Sequence, residues 1–238
     1  MQPGVLYGIS LGVGDPELIT LKGLRLLQQA SVVAFPAGMR DKPGMAEQIV
    51  SPWLRTEQQK LPLRFPYVRE ESILIRAWKE AVARVWQYLK KGQDVAFVSI
   101  GDTSFYSTFT YLAQTLLQLH PQAVVQTVPG VCSPMAAAAV LGVPLTVGSQ
   151  RLAILPALYC VKELEAVLEW ADVAVLMKVS FVYQQVWQFL SQRQLLEASW
   201  VVERATLPNQ TIYRDLRARP DLKLSYFSLL IVQCPPCQ

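Results

Sequence analysis

Hydrophobic and polar positions follow two rhythms along this chain of 238 residues. Short runs rich in Val, Ile and Phe at residues 5–10, 31–35, 94–99 and 124–127 are each bounded by Gly, Pro or polar residues, and predict β-strands. Longer stretches of helical period lie between them. Across residues 71–91, Ile73, Ala77, Trp78, Ala81, Val82, Val85 and Leu89 recur at helical spacing while charges fill the other face. Gly92 follows as the helix stop. Strands alternating with helices predict an α/β fold around a largely parallel sheet.

A second series begins after Pro144. It predicts strands near 152–156, 173–177, 200–203 and 226–232, with helices near 161–170 and 183–192. Pro, Gly and Ser cluster over residues 144–150, so two lobes are expected, 1–145 and 146–238, with the hinge at that cluster. No internal repeat or low-complexity segment interrupts either series.

Composition narrows the function class. With 52% hydrophobic and 17% charged residues, the chain has the balance of a packed globular protein. The net charge of +4 is spread out, without the dense basic runs of nucleic-acid binders, and suits a small anionic ligand better. The apolar run at 131–147 contains Pro134, Gly142 and Pro144 and falls short of a membrane span. No basic leader precedes the first strand. A cytoplasmic protein with neither nucleic-acid nor membrane partner is expected.

Cys132, Cys160, Cys234 and Cys237 are too scattered for a disulfide framework, and reduced thiols are expected. The C-x-x-C spacing of Cys234 and Cys237 lacks a second pair, and His120 is the sole histidine, so no metal site is expected. A single histidine also disfavours Ser-His-Asp hydrolysis, and His120 before Pro121 reads as a surface residue. Trp78, Trp86, Trp170 and Trp187 fall in helical patterns and read as core or dimer interface.

Three turns carry candidate chemistry. The first, Gly8-Ile9-Ser10-Leu11-Gly12-Val13-Gly14-Asp15-Pro16, follows a strand and precedes an amphipathic helix, where open α/β sheets bind ligands. Glu17 stands where a dinucleotide fingerprint needs its third small residue, the second strand ends at Phe35-Pro36 without a ribose-binding carboxylate, and no Gly-Lys-Ser/Thr makes a P-loop. Asp15, Pro16 and Glu17 also read as N-cap, first position and first-turn acid of a helix. The second turn is Ser99-Ile100-Gly101-Asp102-Thr103-Ser104-Phe105-Tyr106-Ser107-Thr108, in which Asp102 suits either a cap or a ligand amine. The third is Val128-Pro129-Gly130-Val131-Cys132-Ser133-Pro134. Three such turns on one sheet edge outline a cleft.

Together these turns resemble the tetrapyrrole (corrin/porphyrin) methylase family over nearly the whole chain. The resemblance also rests on Val33-Ala34-Phe35-Pro36-Ala37, on Phe65-Pro66 with Ala77-Trp78, and on Leu155-Pro156-Ala157. Phe105-Tyr106-Ser107-Thr108 and Met177-Lys178 are similar to the branch that methylates C-20 of precorrin-2. The resemblance implies a two-lobed α/β protein, a homodimer, with S-adenosyl-L-methionine in the cleft between lobes. By position, the cofactor would meet Gly12, Val13, Gly14, Ile100, Gly101, Asp102, Phe105, Cys132, Ser133, Lys178, Ala205 and Thr206.

The activity implied is methyl transfer to C-20 of precorrin-2 or cobalt-precorrin-2 in cobalamin biosynthesis, by alignment of the reactants and with no catalytic base assigned. The tetrapyrrole's carboxylates call for cations, and Arg40, Lys42, Arg64 and Arg151, with Tyr106, are the candidates for that partner. The family's turns commonly carry Gly at the position of Ser10, Pro at those of Val13 and Thr103, and in several members Gly at that of Ala205. Ser10 must fit without the positive φ that glycine tolerates, and Val13 and Thr103 each remove a φ restraint, which is expected to leave their loops less pre-organised. The rival readings are another methylase of the same fold acting on uroporphyrinogen or a different precorrin, and a non-catalytic tetrapyrrole or nucleoside binder.

Overall fold

The structure is a computed structural model that describes residues 2–38, 42–66, 68, 70–156 and 161–234. Arg40, Ala157, Cys160 and Cys237, singled out above, lie outside the described residues. The chain divides into two compact units, Met1–Cys132 and Ser133–Gln238.

The first unit is built on strands β1 (Val5–Ser10), β2 (Val32–Pro36), β3 (Gln59–Leu63), β4 (Val95–Ser99) and β5 (Val124–Val128), in the order β3-β2-β4-β1-β5. Every pairing in this sheet is parallel. Helices α1 (Leu21–Gln29), α2 (Met45–Val50), α3 (Glu71–Leu89) and α4 (Thr108–Leu119) connect the strands. Successive side chains of a strand point to opposite faces, so one strand serves two cores. Leu6, Val95 and Phe97 pack with Val82, Val85 and Leu112, whereas Ile9, Ala96 and Val98 pack with Leu26, Leu27 and Ile49. Burial on both faces is why β2 and β4 read as unbroken apolar runs.

The second unit contains α5 (Ser133–Leu141), β6 (Leu152–Leu155), α6 (Val161–Leu168), β7 (Val173–Met177), α7 (Tyr183–Gln192), β8 (Ser199–Glu203), β9 (Thr211–Arg214) and β10 (Ser228–Gln233). Its sheet runs β6-β7-β10-β8-β9, parallel only between β6 and β7. Leu164, Leu176, Val186, Leu190, Val201 and Leu230 form its core. No described helix is long and apolar enough to cross a membrane.

Several elements differ from expectation. β3 was hidden because Gln59, Lys60 and Pro62 break the apolar pattern. It is an edge strand that buries only Leu61 and Leu63, and an edge tolerates the proline's missing N–H. β9 is short and pairs only with β8. Asp15 does cap a turn, its Oδ1 accepting from the Glu17 N–H at 2.8 Å, but that turn is a three-residue 3-10 helix, Pro16–Leu18. The α-helix starts afresh behind a Thr20 cap.

Residues 133–145 were expected in the first lobe, whereas the observed division groups them with the second. Arg214 Nη2 donates to the Leu141 carbonyl at 2.6 Å, and Gln233 Nε2 to that of Pro144 at 2.9 Å. These bonds tie α5 and the following turn to β9 and β10.

Gly8, read as part of the ligand turn, has a packing role inside β1. A β-carbon there would lie 2.4 Å from the Phe109 ring of α4. Gly8→Ala is expected to destabilise the protein by about 1–3 kcal/mol through overpacking, measured as a lowered urea midpoint. An unchanged midpoint would mean that the ring yields freely.

Candidate functional site

Because all five strands of the first sheet are parallel, their C-terminal ends share one edge. β4, β1 and β5 are neighbours, so the loops that follow them emerge side by side. Those loops are the three turns singled out in the sequence. Arg64 follows β3 and Lys42 follows β2, both exposed and on this same edge.

Gly12 and Gly101 join the first two loops. Both have φ of +73°, and they form a short antiparallel bridge beyond the strand ends. The Gly12 N–H donates to the Gly101 carbonyl at 3.2 Å, and the Gly101 N–H returns a bond to the Gly12 carbonyl at 2.6 Å. A β-carbon on Gly12 would strike Leu18 Cβ at 2.4 Å. Gly101 is buried, and a β-carbon on it would meet only the Val13 side chain, at 3.8 Å, so the space beside it is less crowded than that beside Gly12. Val13, Ile100, Phe105 and Cys132 are half-buried in these loops, and Gly14 is buried. Bare backbone flanked by apolar side chains and a thiol can accept a nucleoside-like ligand without burying a charge.

Asp102 joins the second and third loops. Its Oδ2 accepts from the Gly130 N–H at 2.7 Å, and its Oδ1 from the Ser104 N–H at 2.7 Å and from the Ser104 hydroxyl. Burial opposes ionisation, but these bonds from Ser104 and Gly130 outweigh it and hold the carboxyl below its ordinary value. Within the protein, the Asp102 carboxylate is engaged by Ser104 and positions Gly130. Ser104, Gly130 and the buried Ser10 were not named as site residues. The available signal was a serine closing an otherwise apolar strand.

Phe105 and Tyr106 contact edge to face, with centroids 4.7 Å apart. Tyr106 is 56% exposed and has φ of +50°. His120 is half-buried and stacks on Trp86 at 4.0 Å, a packing role in place of the open surface expected. Trp78 stacks on Tyr111, and Trp187 donates from Nε1 to the Leu216 carbonyl at 2.6 Å.

In the second unit, β7 and β8 are both antiparallel to β10, so their C-terminal ends lie together beside its start. Lys178, Arg204 and Thr206 all sit there with φ between +49° and +64°, and such strain in residues other than glycine collects at functional sites. The backbone is held by bonds from the Lys178 N–H to the Ser228 carbonyl, 2.9 Å, from the Arg204 N–H to the Phe227 carbonyl, 2.7 Å, and from the Thr206 N–H to Gln210 Oε1, 2.7 Å. Ala205 is buried between them in sequence. Lys178 Nζ lies 5.5 Å from the Tyr226 ring centroid. Glu203, also buried, accepts from the Ser225 N–H at 2.7 Å and the Tyr213 hydroxyl at 3.2 Å.

Arg151, a substrate candidate, lies away from the end of the second sheet that carries Lys178. It precedes β6, at the strand end opposite that of Lys178, and its Nε lies 3.1 Å from Asp172 Oδ2. The Arg151 side chain and backbone bonds hold the Asp172 carboxyl below its ordinary value. Arg151 clasps the entry of β6 to that of β7.

The parallel α/β unit with three loops meeting at one strand edge defines a cofactor-binding class of fold. The chain belongs to the Tetrapyrrole (Corrin/Porphyrin) Methylases, whose family pattern matches residues 5–220. It is 35% identical over 237 residues to the cobalamin biosynthesis protein CobIJ of Mycobacterium tuberculosis, covering 96% of this chain and 46% of that protein. The chain thus spans about half the length of that relative. It is 31% identical over 230 residues to the cobalt-precorrin-2 C(20)-methyltransferase of Salmonella typhimurium, covering 96% of each. Against the precorrin-2 C(20)-methyltransferase of Sinorhizobium it is 31% identical over 240 residues, covering 96% and 95%.

The fold is similar to that of the cobalt precorrin-4 methyltransferase CbiF, with a TM-score of 0.74 at 23% identity over 96% of this chain and 94% of that one. It is also similar to that of a Thermus thermophilus uroporphyrin-III C-methyltransferase complexed with S-adenosyl homocysteine, with a TM-score of 0.67 at 22% identity over 97% of each.

Asp102→Asn is expected to cost about 1 kcal/mol at pH 7, because it weakens partly buried bonds from Ser104 and Gly130. The native carboxyl titrates below its ordinary value of 3.8, so its contribution is complete above that pH and is lost as pH falls through the folded-state value. Denaturant midpoints of the two proteins should therefore converge toward pH 3. An equal gap at pH 7 and pH 3 would exclude this role.

Proposed function

We propose that this chain transfers a methyl group from S-adenosyl-L-methionine to C-20 of precorrin-2 or cobalt-precorrin-2 in cobalamin biosynthesis. The observation that carries the reading is the near end-to-end match to two relatives named for that reaction. The uncrowded backbone at Gly101, in loops that also carry the half-buried Val13, Ile100 and Phe105, supports a cofactor of this kind. The Thermus structure supports the same cofactor through the S-adenosylhomocysteine it holds.

When bound, S-adenosyl-L-methionine supplies an electrophilic methyl group. Gly12, Val13, Gly14, Ile100, Gly101, Phe105, Cys132 and Ser133 hold and orient the cofactor, with Asp102 fixing the Gly130 loop. Lys178, Ala205 and Thr206 are proposed as cofactor contacts carried by the second unit. The macrocycle brings its own electron-rich carbon, so the chain needs to align reactants and exclude water more than to move a proton. Lys42 and Arg64 recognise carboxylates of the substrate, and Tyr106 flanks it. Val124 on the β5 edge and Tyr111 and Leu117 on α4 expose apolar surface that supports assembly as a homodimer.

Incubation of the pure protein with S-adenosyl-L-methionine and each tetrapyrrole is expected to add one methyl group, read by mass spectrometry, with formation of S-adenosylhomocysteine. Binding of both ligands without that product would favour a non-catalytic binder. Methylation of uroporphyrinogen instead would move the chain to another branch of the family.

Arg64→Ala is expected to raise KM for the tetrapyrrole about twofold to fivefold with kcat nearly unchanged, the scale of an exposed charge pair. Unchanged KM in steady-state assays would remove Arg64 from the substrate contacts.

A further inference from the structure

Ser10 ends β1 and is wholly buried, 0% exposed, and Thr103 in the second loop is 1% exposed. Ser10 Oγ donates to the Val128 carbonyl at 2.6 Å, at the end of β5. The same oxygen accepts from the Thr103 N–H at 2.9 Å and lies 3.1 Å from Thr103 Oγ1. A hydroxyl has one proton, and that of Ser10 is committed to Val128, while the Thr103 hydroxyl has both Ser10 Oγ and, at 3.4 Å, the Val128 carbonyl within reach. Gly130 closes over the same group, since a β-carbon there would lie 2.4 Å from Ser10 Cβ and 3.3 Å from the Gly101 carbonyl. One buried oxygen thus links the ends of β1 and β5 to the loop after β4.

We infer that Ser10 and Thr103 act as one interdependent positioning pair that sets the spacing of the three cofactor loops. The inference rests on the proposed placement of the cofactor on those loops. Neither residue is catalytic. Each satisfies a group that the other exposes: Thr103 brings a buried N–H that must find an acceptor, and Ser10 is that acceptor. Removing Ser10 alone orphans the Thr103 N–H and leaves the Val128 carbonyl only the longer bond from the Thr103 hydroxyl. Placing proline at 103 alone removes the donor and drives the ring's Cδ toward Ser10 Oγ. Making both changes removes the Thr103 N–H together with its acceptor, so that of this network only the Val128 carbonyl loses its hydroxyl donors, and the serine's departure vacates space on the side from which the proline ring approaches. Paired removal of this kind is far milder than either half.

The test is a double-mutant cycle of wild type, Ser10→Gly, Thr103→Pro and the combined variant, with Ser10→Ala as a variant that keeps the β-carbon beneath Gly130. S-adenosylhomocysteine affinity is measured by calorimetry, and stability by denaturant midpoint. Ser10→Gly, Ser10→Ala and Thr103→Pro are each expected to weaken binding about tenfold and lower the midpoint. The combined variant should bind within about threefold of wild type, a rescue that two independent structural roles would not produce. Additive losses in the combined variant, or wild-type affinity in Ser10→Ala, would overturn the pairing. If wild type itself does not bind S-adenosylhomocysteine, the cofactor placement fails, and the midpoints alone decide whether the pair is coupled.

Discussion

Two backbone hydrogen bonds between Gly12 and Gly101 reverse the local direction of the chain just beyond a parallel sheet. Parallel ladders run in evenly slanted bonds and supply no such link. Here it requires φ of +73° at both residues, which glycine reaches without a β-carbon penalty. The rest of the site follows from this bridge. Leu18 packs over Gly12, and Asp102 is presented to the Gly130 N–H because it directly follows Gly101.

The loops are held by buried polar bonds rather than by rigid residues. Proline at position 103 would restrict φ, and glycine at position 10 would leave space. In their place this chain has a hydroxyl network that reaches both neighbouring strands. Such bonds are strong in a buried setting and costly when half-made, so a preorganised loop can be built either way. The resulting rigidity lowers the ordering cost that a ligand would otherwise bear. The expectation of looser loops therefore changes at Thr103, which is anchored at both its N–H and its hydroxyl.

The second unit reaches a comparable result by other means. Its sheet is mixed, and left-handed residues at the ends of β7 and β8 redirect the chain where the first unit uses glycines. Lys178 and Arg204 are fixed by carbonyls at the start of β10, and Glu203 is satisfied by Ser225 and Tyr213. Strain of this kind persists only where surrounding bonds over-determine it.

Period and punctuation sufficed for most of the fold. Val5–Ser10, Val173–Met177 and Tyr183–Gln192 have the bounds expected, because doubly buried strands and an amphipathic helix each impose their period on local residue choice. The three turns were legible too, since their glycines and their place after strands are local properties. β3 was not, because an edge strand buries too few residues to leave a pattern. The duties of side chains at the site were also beyond local sequence. Asp102 reads as cap or ligand contact, and its hold on Gly130, 28 residues away, exists only once the fold brings the two together. Arg151 reads as a substrate cation until Asp172 is brought beside it. Ser10 and Thr103, 93 residues apart, read as two separate losses until the sheet makes them partners. Backbone period is written residue by residue, whereas a hydrogen-bond partner exists only after distant strands have been set side by side.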